Sequence, residues 1–182
     1  SKIENLTASA RAIAEAELHV HASRNATLIV ANQRAMTAAL ALAQHIDAAA
    51  ILAMHAALLT ETRPEIAGRW RDEPVWIGGS DHSPHHALFV PPRQDFVRAA
   101  ISDLLAFIDR DDVPLLAHAA IAHAQFETIH PFPDGNGRTG RALVHAQLRH
   151  KGLTRNGTLP VSAGQLADTD AYFAALTAHR EG

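Results

Sequence analysis

At 182 residues the chain is long enough for one well-buried core and too short for two generous domains. Its 16 Lys and Arg against 19 Asp and Glu leave a formal charge of -3, which argues against a broad nucleic-acid or anionic-membrane footprint, so any phosphate must be met by a local cluster. Cysteine is absent, which excludes disulfides, thiolate zinc sites and a cysteine nucleophile and makes a reducing, cytoplasmic setting the expectation.

Alanine makes up about a fifth of the residues and forms helix at least cost, so a mainly α protein is predicted. The chain opens abruptly at Ser1, and what precedes that residue stays open. Residues 3–36 and 51–59 carry little glycine or proline and place apolar side chains at helical intervals, as core helices do. Then the pattern changes. Val75-Trp76-Ile77, the turn-forming Gly78-Gly79-Ser80 and a histidine-rich stretch precede Ala87-Leu88-Phe89-Val90 and Pro91-Pro92, which reads as one β-hairpin over residues 74–92. From Pro114 the helical period returns: Leu115, Ala119, Ala122, Phe126 and Ile129 form a single stripe on a helix that runs into His130. A further helix is expected from near Arg138, carrying Leu143, Val144 and Leu148 and stopping at Gly152. Residues 168–180 read as a last amphipathic helix. No repeat, low-complexity tract or linker divides the chain, and no apolar run approaches the roughly 18 residues of a membrane span.

Between the two helices, residues 130–141 read His-Pro-Phe-Pro-Asp-Gly-Asn-Gly-Arg-Thr-Gly-Arg. Gly135, Asn136 and Gly137 allow the backbone amides to curl around an anion where a helix presents its positive end. Arg138 and Arg141, three apart, lie on one face of the first turn and offer planar forks to phosphate oxygens. Two cations there oppose the helix dipole, which a helix built only for stability would avoid. Asp134 supplies a hard carboxylate oxygen suited to Mg²⁺ bridging phosphates. His130 is the nearby group that takes a proton near neutral pH, and Phe132 is expected to point inward as an anchor. A glycine-rich turn alone is usually only a turn; His, Asp, Asn and two Arg in register make phosphate chemistry the better reading.

This segment resembles the signature of the Fic domain, His-x-Phe-x-(Asp or Glu)-Gly-Asn-Gly-Arg-x-x-Arg, with every fixed position met from His130 to Arg141. The segment from Val75 to Gly79 followed by Phe89 to Pro92 resembles the family's flap hairpin, and residues 122–129 resemble the helix before the signature. The resemblance implies a Fic-type helical bundle with one β-hairpin flap, formed by a single domain over residues 1–182. It implies ATP-dependent attachment of AMP to a Ser, Thr or Tyr hydroxyl of a target protein, self-modification included. His130 would deprotonate the hydroxyl, Asp134 would hold Mg²⁺, and Gly135, Asn136 and Gly137 would line the anion hole. Arg138 would contact the β and γ phosphates and Arg141 the γ phosphate. Trp76, Ile77 and Gly78 of the flap would dock an extended stretch of the target as an added strand.

The opening Ser1-Lys2-Ile3-Glu4-Asn5 resembles the end of the family's inhibitory motif, within a candidate inhibitory helix over residues 1–20. Glu4, followed by Asn5, would compete with the γ phosphate for Arg141. Two rival readings stay open: γ-phosphoryl or phosphocholine transfer on the same fold, and a nucleotide-gated binding module that does not turn over. Metal-binding histidines are disfavoured, since His118 and His123 stand five apart, as do His145 and His150, and neither pair shares a helix face. His82, His85 and His86 at the hairpin tip read as solvent-exposed. Tyr172 is placed near the nucleotide base.

Overall fold

The computed structural model describes residues 7–18, 20, 23–79, 83–155 and 159–182. Glu4, Asn5 and His82 lie outside the described residues, and so does most of the opening stretch that carries the inhibitory resemblance. Eight α-helices occur among the described residues: α1 (Ala10–Glu17), α2 (Arg24–Leu42), α3 (Ala48–Leu59), α4 (Val97–Ile108), α5 (Leu115–Ile129), α6 (Asn136–His150), α7 (Val161–Ala167) and α8 (Thr169–Glu181).

Side-chain caps set several of the starts. Ser9, Ser23, Asp47 and Asp168 each accept the backbone N–H of the residue three further on, satisfying one of the donors that a helix start leaves orphaned. Ser23 corrects the long helical reading of residues 3–36, because it begins α2 as a separate helix after α1 has ended. Helix α6 begins at Asn136, two residues earlier than expected, because Gly135 at φ 78° already turns the chain into it. Gly152 at φ 79° follows its end, as expected of a glycine stop.

The core forms where α2, α3, α4, α5 and α6 meet. Ala31, Ala35, Ala39 and Ala43 of α2 and its end recur every fourth residue and are all buried, so the backbones of α3 and α6 approach closely. Ile51 and Met54 of α3, Ile101, Leu104 and Ile108 of α4, Phe126 and Ile129 of α5, and Leu143 of α6 belong to one buried cluster that also holds the fully buried Phe132. Helix α1 packs on α2, and α8 on α5. Helix α4 is absent from the sequence reading, although Val97, Ile101, Leu104 and Ile108 recur at intervals of four, three and four, and all four are buried. The sequence reading also lacks the short α7.

The hairpin is the main departure. Among the described residues the two runs pair at one antiparallel bridge, Ile77 with Phe89, and no strand forms. Ile77 donates to the Phe89 carbonyl at 2.9 Å and accepts from Leu88 at 2.7 Å. Gly78 and Gly79, at φ 79° and 73°, turn the chain away at once, and Pro84, Pro91 and Pro92 have no N–H to extend a ladder.

Candidate active site

The turn between α5 and α6 brings the sequence-predicted residues together, and its shape is over-determined. His130 closes α5 in the left-handed region, at φ 49° and ψ 60°, with its N–H bonded to the Phe126 carbonyl at 3.0 Å. A non-glycine residue there costs about 1–2 kcal/mol, so the surroundings must hold it. Phe132 points inward as expected. The Asn136 side chain brackets it, accepting the Phe132 N–H at 2.9 Å and donating to the Phe132 carbonyl at 2.8 Å. Asn136 therefore gives its side chain to the loop, leaving its backbone N–H, with that of Gly137, on the first turn of α6.

From α3, His55 fixes the other side. Its Nδ1 accepts the Gly68 N–H at 2.9 Å, so Nε2 carries the proton and donates to the Asp134 carbonyl at 3.0 Å. The ring stacks on Phe132 at 3.7 Å with planes 3° apart, and Trp70 stacks on Phe132 at 5.0 Å. Burial holds the His55 ring below its ordinary pKa, consistent with this neutral tautomer. Nothing in the local sequence marks His55, a lone histidine in an apolar helix.

Charges are distributed around the start of α6. Asp134 is half-exposed; its Oδ1 accepts the Gly135 N–H at 2.6 Å and lies 3.6 Å from the Arg138 guanidinium, while Oδ2 lies 3.7 Å from Arg63. No side chain caps α6, so its positive end faces the turn. Asp134, Arg138 and Arg63 line a cleft of about 520 Å³ that Arg24, Thr27 and Thr62 complete. Arg138 also lines a smaller recess of about 100 Å³ with Arg141 and Asn32. Arg24, Arg63, Arg138 and Arg141 outnumber Asp134 and the Glu65 carboxylate that Arg63 holds at 2.6 Å, which makes this side of the turn a place for a polyanion. Among the described residues no three metal-ligating side chains converge. Mg²⁺ fits this donor set if Asp134 is its protein ligand and phosphate and water oxygens complete the shell, as that ion commonly accepts.

Burial pushes the His130 imidazole down to about 4, against the nearby Glu127 carbonyl, and the Arg71 cation adds to the effect. The ring is therefore neutral at neutral pH with a lone pair to offer, but it is a weaker base than the sequence alone suggests, because burial disfavours the imidazolium. Three residues earlier, burial pushes the Glu127 carboxyl up to about 7, against the pull of Arg141 and Arg180. Its Oε1 is buried without a hydrogen-bond partner among the described residues.

Trp76 and Ile77 are half-buried and Gly78 exposed, with the hairpin fastened to α8 by Arg180, whose guanidinium carbon lies 3.8 Å from the centre of the Phe89 ring. His85 and His86 are exposed, and His118 is buried, bonded to the Phe107 carbonyl at 2.7 Å and to Gln147 at 3.0 Å. The Tyr172 hydroxyl lies 3.0 Å from His123 Nε2, and its ring lines an apolar cavity of about 460 Å³ between α5, α7 and α8, apart from the cationic cleft.

The Fic/DOC family model matches residues 45–148, a span that contains α3 through nearly all of α6. A protein adenylyltransferase of Nematostella vectensis is 36% identical over 105 residues, covering 57% of this chain and 23% of that protein. One from Caenorhabditis elegans is 31% identical over 106 residues, covering 57% of this chain and 19% of that protein. A probable protein adenylyltransferase of Aquifex aeolicus is 32% identical over 135 residues, covering 67% of this chain and 40% of that protein. The chain thus spans less than half the length of these curated relatives. Among solved structures, a Fic family protein from Desulfovibrio desulfuricans G20 superposes with a TM-score of 0.73 at 25% identity, covering 98% of this chain and 54% of that one. A fragment of Fic-1 from Caenorhabditis elegans gives 0.71 at 25% identity, covering 96% of this chain and 53% of that one.

Proposed function

Because the chain belongs to the Fic/DOC family, we propose that it is a protein adenylyltransferase, a single Fic domain that moves AMP from ATP to a hydroxyl of a target protein. The observation that carries this reading is the neutral, half-buried His130 held at the end of α5 opposite the uncapped, arginine-flanked start of α6. A proton acceptor and a polyanion cradle on one rigid turn are the parts that phosphoryl-type transfer needs.

In this reading the triphosphate lies along the amides of Asn136 and Gly137 and the guanidinium groups of Arg138 and Arg141, while Gly135, whose N–H is engaged by Asp134 Oδ1, turns the chain into them. Asp134 would hold Mg²⁺, which when bound would supply charge neutralisation on the phosphates. His130 takes the proton of the target hydroxyl. The hydroxyl oxygen bonds to the α phosphorus as the bond to the bridging oxygen breaks, and pyrophosphate leaves with that electron pair. The hairpin carrying Trp76, Ile77 and Gly78 serves as the flap on which an extended target segment pairs, and the Ile77–Phe89 bridge supports an open edge of that kind. Glu4 and Asn5 belong to the same reading as a brake, with the Glu4 carboxylate competing for Arg141.

The test uses ATP labelled separately in the adenine and in the γ phosphate, with Mg²⁺, in the Glu4→Gly form. Adenine label on protein that disappears in His130→Ala is the expected result. Protein carrying only γ label assigns phosphoryl transfer instead, and nucleotide binding without either label assigns a binding module. Transfer equal in the wild type and in Glu4→Gly refutes the brake.

A further inference from the structure

Arg71 is almost completely buried, at 3% exposure, yet its hydrogen-bond partners are backbone carbonyls. Its Nε donates to the His130 carbonyl at 2.8 Å, and one terminal nitrogen reaches the Ile129 carbonyl at 3.4 Å. The same nitrogen donates to the Pro92 carbonyl, and the other donates to the Glu73 carbonyl at 3.2 Å. Its own N–H bonds to the Pro131 carbonyl at 3.0 Å. Burying a guanidinium is costly, and carbonyl dipoles offset that cost less well than a carboxylate.

These acceptors are of two kinds. Ile129, His130 and Pro131 are the negative end of α5 and the entry to the signature turn, where a cation is favourable. Glu73 and Pro92 are the two feet of the hairpin, one on each stem. A single planar fork therefore ties both feet of the flap to the strained backbone of the proton acceptor. Lysine, a point charge with three donors, does not span this set.

We propose that Arg71 is the positioning residue of the active site: it fixes the left-handed backbone of His130 and sets the flap at a constant distance from it. A target segment paired on the flap is thereby presented in register with the His130 ring. The proposal rests on the adenylyltransferase reading for its catalytic consequence and on geometry alone for its structural one.

The experiment compares Arg71→Lys and Arg71→Met with their Glu4→Gly parent. Self-modification by labelled ATP under single turnover is expected to slow at least about tenfold, because a small misplacement of reacting groups is enough for that. Calorimetric ATP·Mg²⁺ affinity is expected to stay within about threefold, since Arg71 does not line the cationic cleft. Without nucleotide, hydrogen exchange is expected to quicken together in residues 74–79, 83–90 and 130–133, and the His130 imidazole of Arg71→Met to titrate higher than in the parent. A merely structural role would raise exchange across the whole core.

Transfer within twofold of the parent, or flap and turn amides exchanging at parental rates, overturns the proposal. Should neither variant fold, Pro92→Gly loosens the exposed foot that Arg71 grips and is expected to show the same slowed transfer with parental ATP affinity; a parental rate there overturns it. If the parent transfers no AMP, the adenylyltransferase reading fails, while exchange and titration still decide what Arg71 does.

Discussion

Asn136→Ala tests whether the signature asparagine acts through the loop. The residue is 3% exposed, and both its side-chain bonds go to the backbone of Phe132, at 2.9 and 2.8 Å. Phe132 is itself fully buried, so water cannot replace these bonds without opening the turn. A neutral hydrogen bond contributes about 1 kcal/mol net, and a stranded buried donor or acceptor costs about 1–3 kcal/mol, so two lost together give about 2–4 kcal/mol. For a domain of this size that lowers the melting temperature by roughly 5–15 °C. Urea unfolding followed by circular dichroism is the assay, with an unchanged m-value showing that only stability has moved. Native-state exchange of the Phe132 amide provides the local readout, because that proton is the one released. A stability loss below about 1 kcal/mol, or a Phe132 amide as protected as in the parent, would refute the bracket.

Substitutions at Gly140 and Glu127 probe the buried polar layer under the site. In Gly140→Ala the new methyl would lie 2.8 Å from Glu127 Oε1, 3.1 Å from Phe126 and 3.2 Å from His123, which outweighs the helix propensity gained. A net loss of about 1–3 kcal/mol is expected, shrinking by at least about 1 kcal/mol in a Glu127→Ala background; additive losses would place the clash elsewhere. The Glu127 carboxyl, pushed up from 4.5 to about 7, keeps a proton in the folded chain that the unfolded chain has released, so wild-type stability falls as pH rises through that window. Glu127→Gln has no such proton and is expected to exceed the wild type by about 1–3 kcal/mol at pH 8 and to match it near pH 4.5. His123 and His130, both pushed to about 4, destabilise as pH falls below their ordinary value, but they are common to both proteins and cancel in the difference. Parallel pH curves for the two proteins would sink the assignment.

The signature turn was legible because its chemistry is contiguous. Residues 130–141 set their own backbone through Gly135 and carry base, carboxylate and guanidinium groups within one turn. Phe132 could be aimed inward from its type alone, and the stripe through Phe126 and Ile129 gave α5 its buried face. Residues 74–92 show the limit of local reading. Two β-prone runs around Gly78 and Gly79 predict a hairpin, but prolines without donors and the immediate turn leave one bridge among the described residues.

The sequence by itself determined the helical class and which side chains the turn gathers, since helix periodicity and glycine conformation act over a few neighbouring residues. Only the tertiary structure decided what holds that turn in place. His55, Arg71 and Glu127 reach it from 79, 59 and three residues away or through burial, and their roles arise from desolvation and from carbonyls that packing alone brings within reach. None of the three carries a local pattern, because a buried polar side chain is assigned to its partners by where the chain returns.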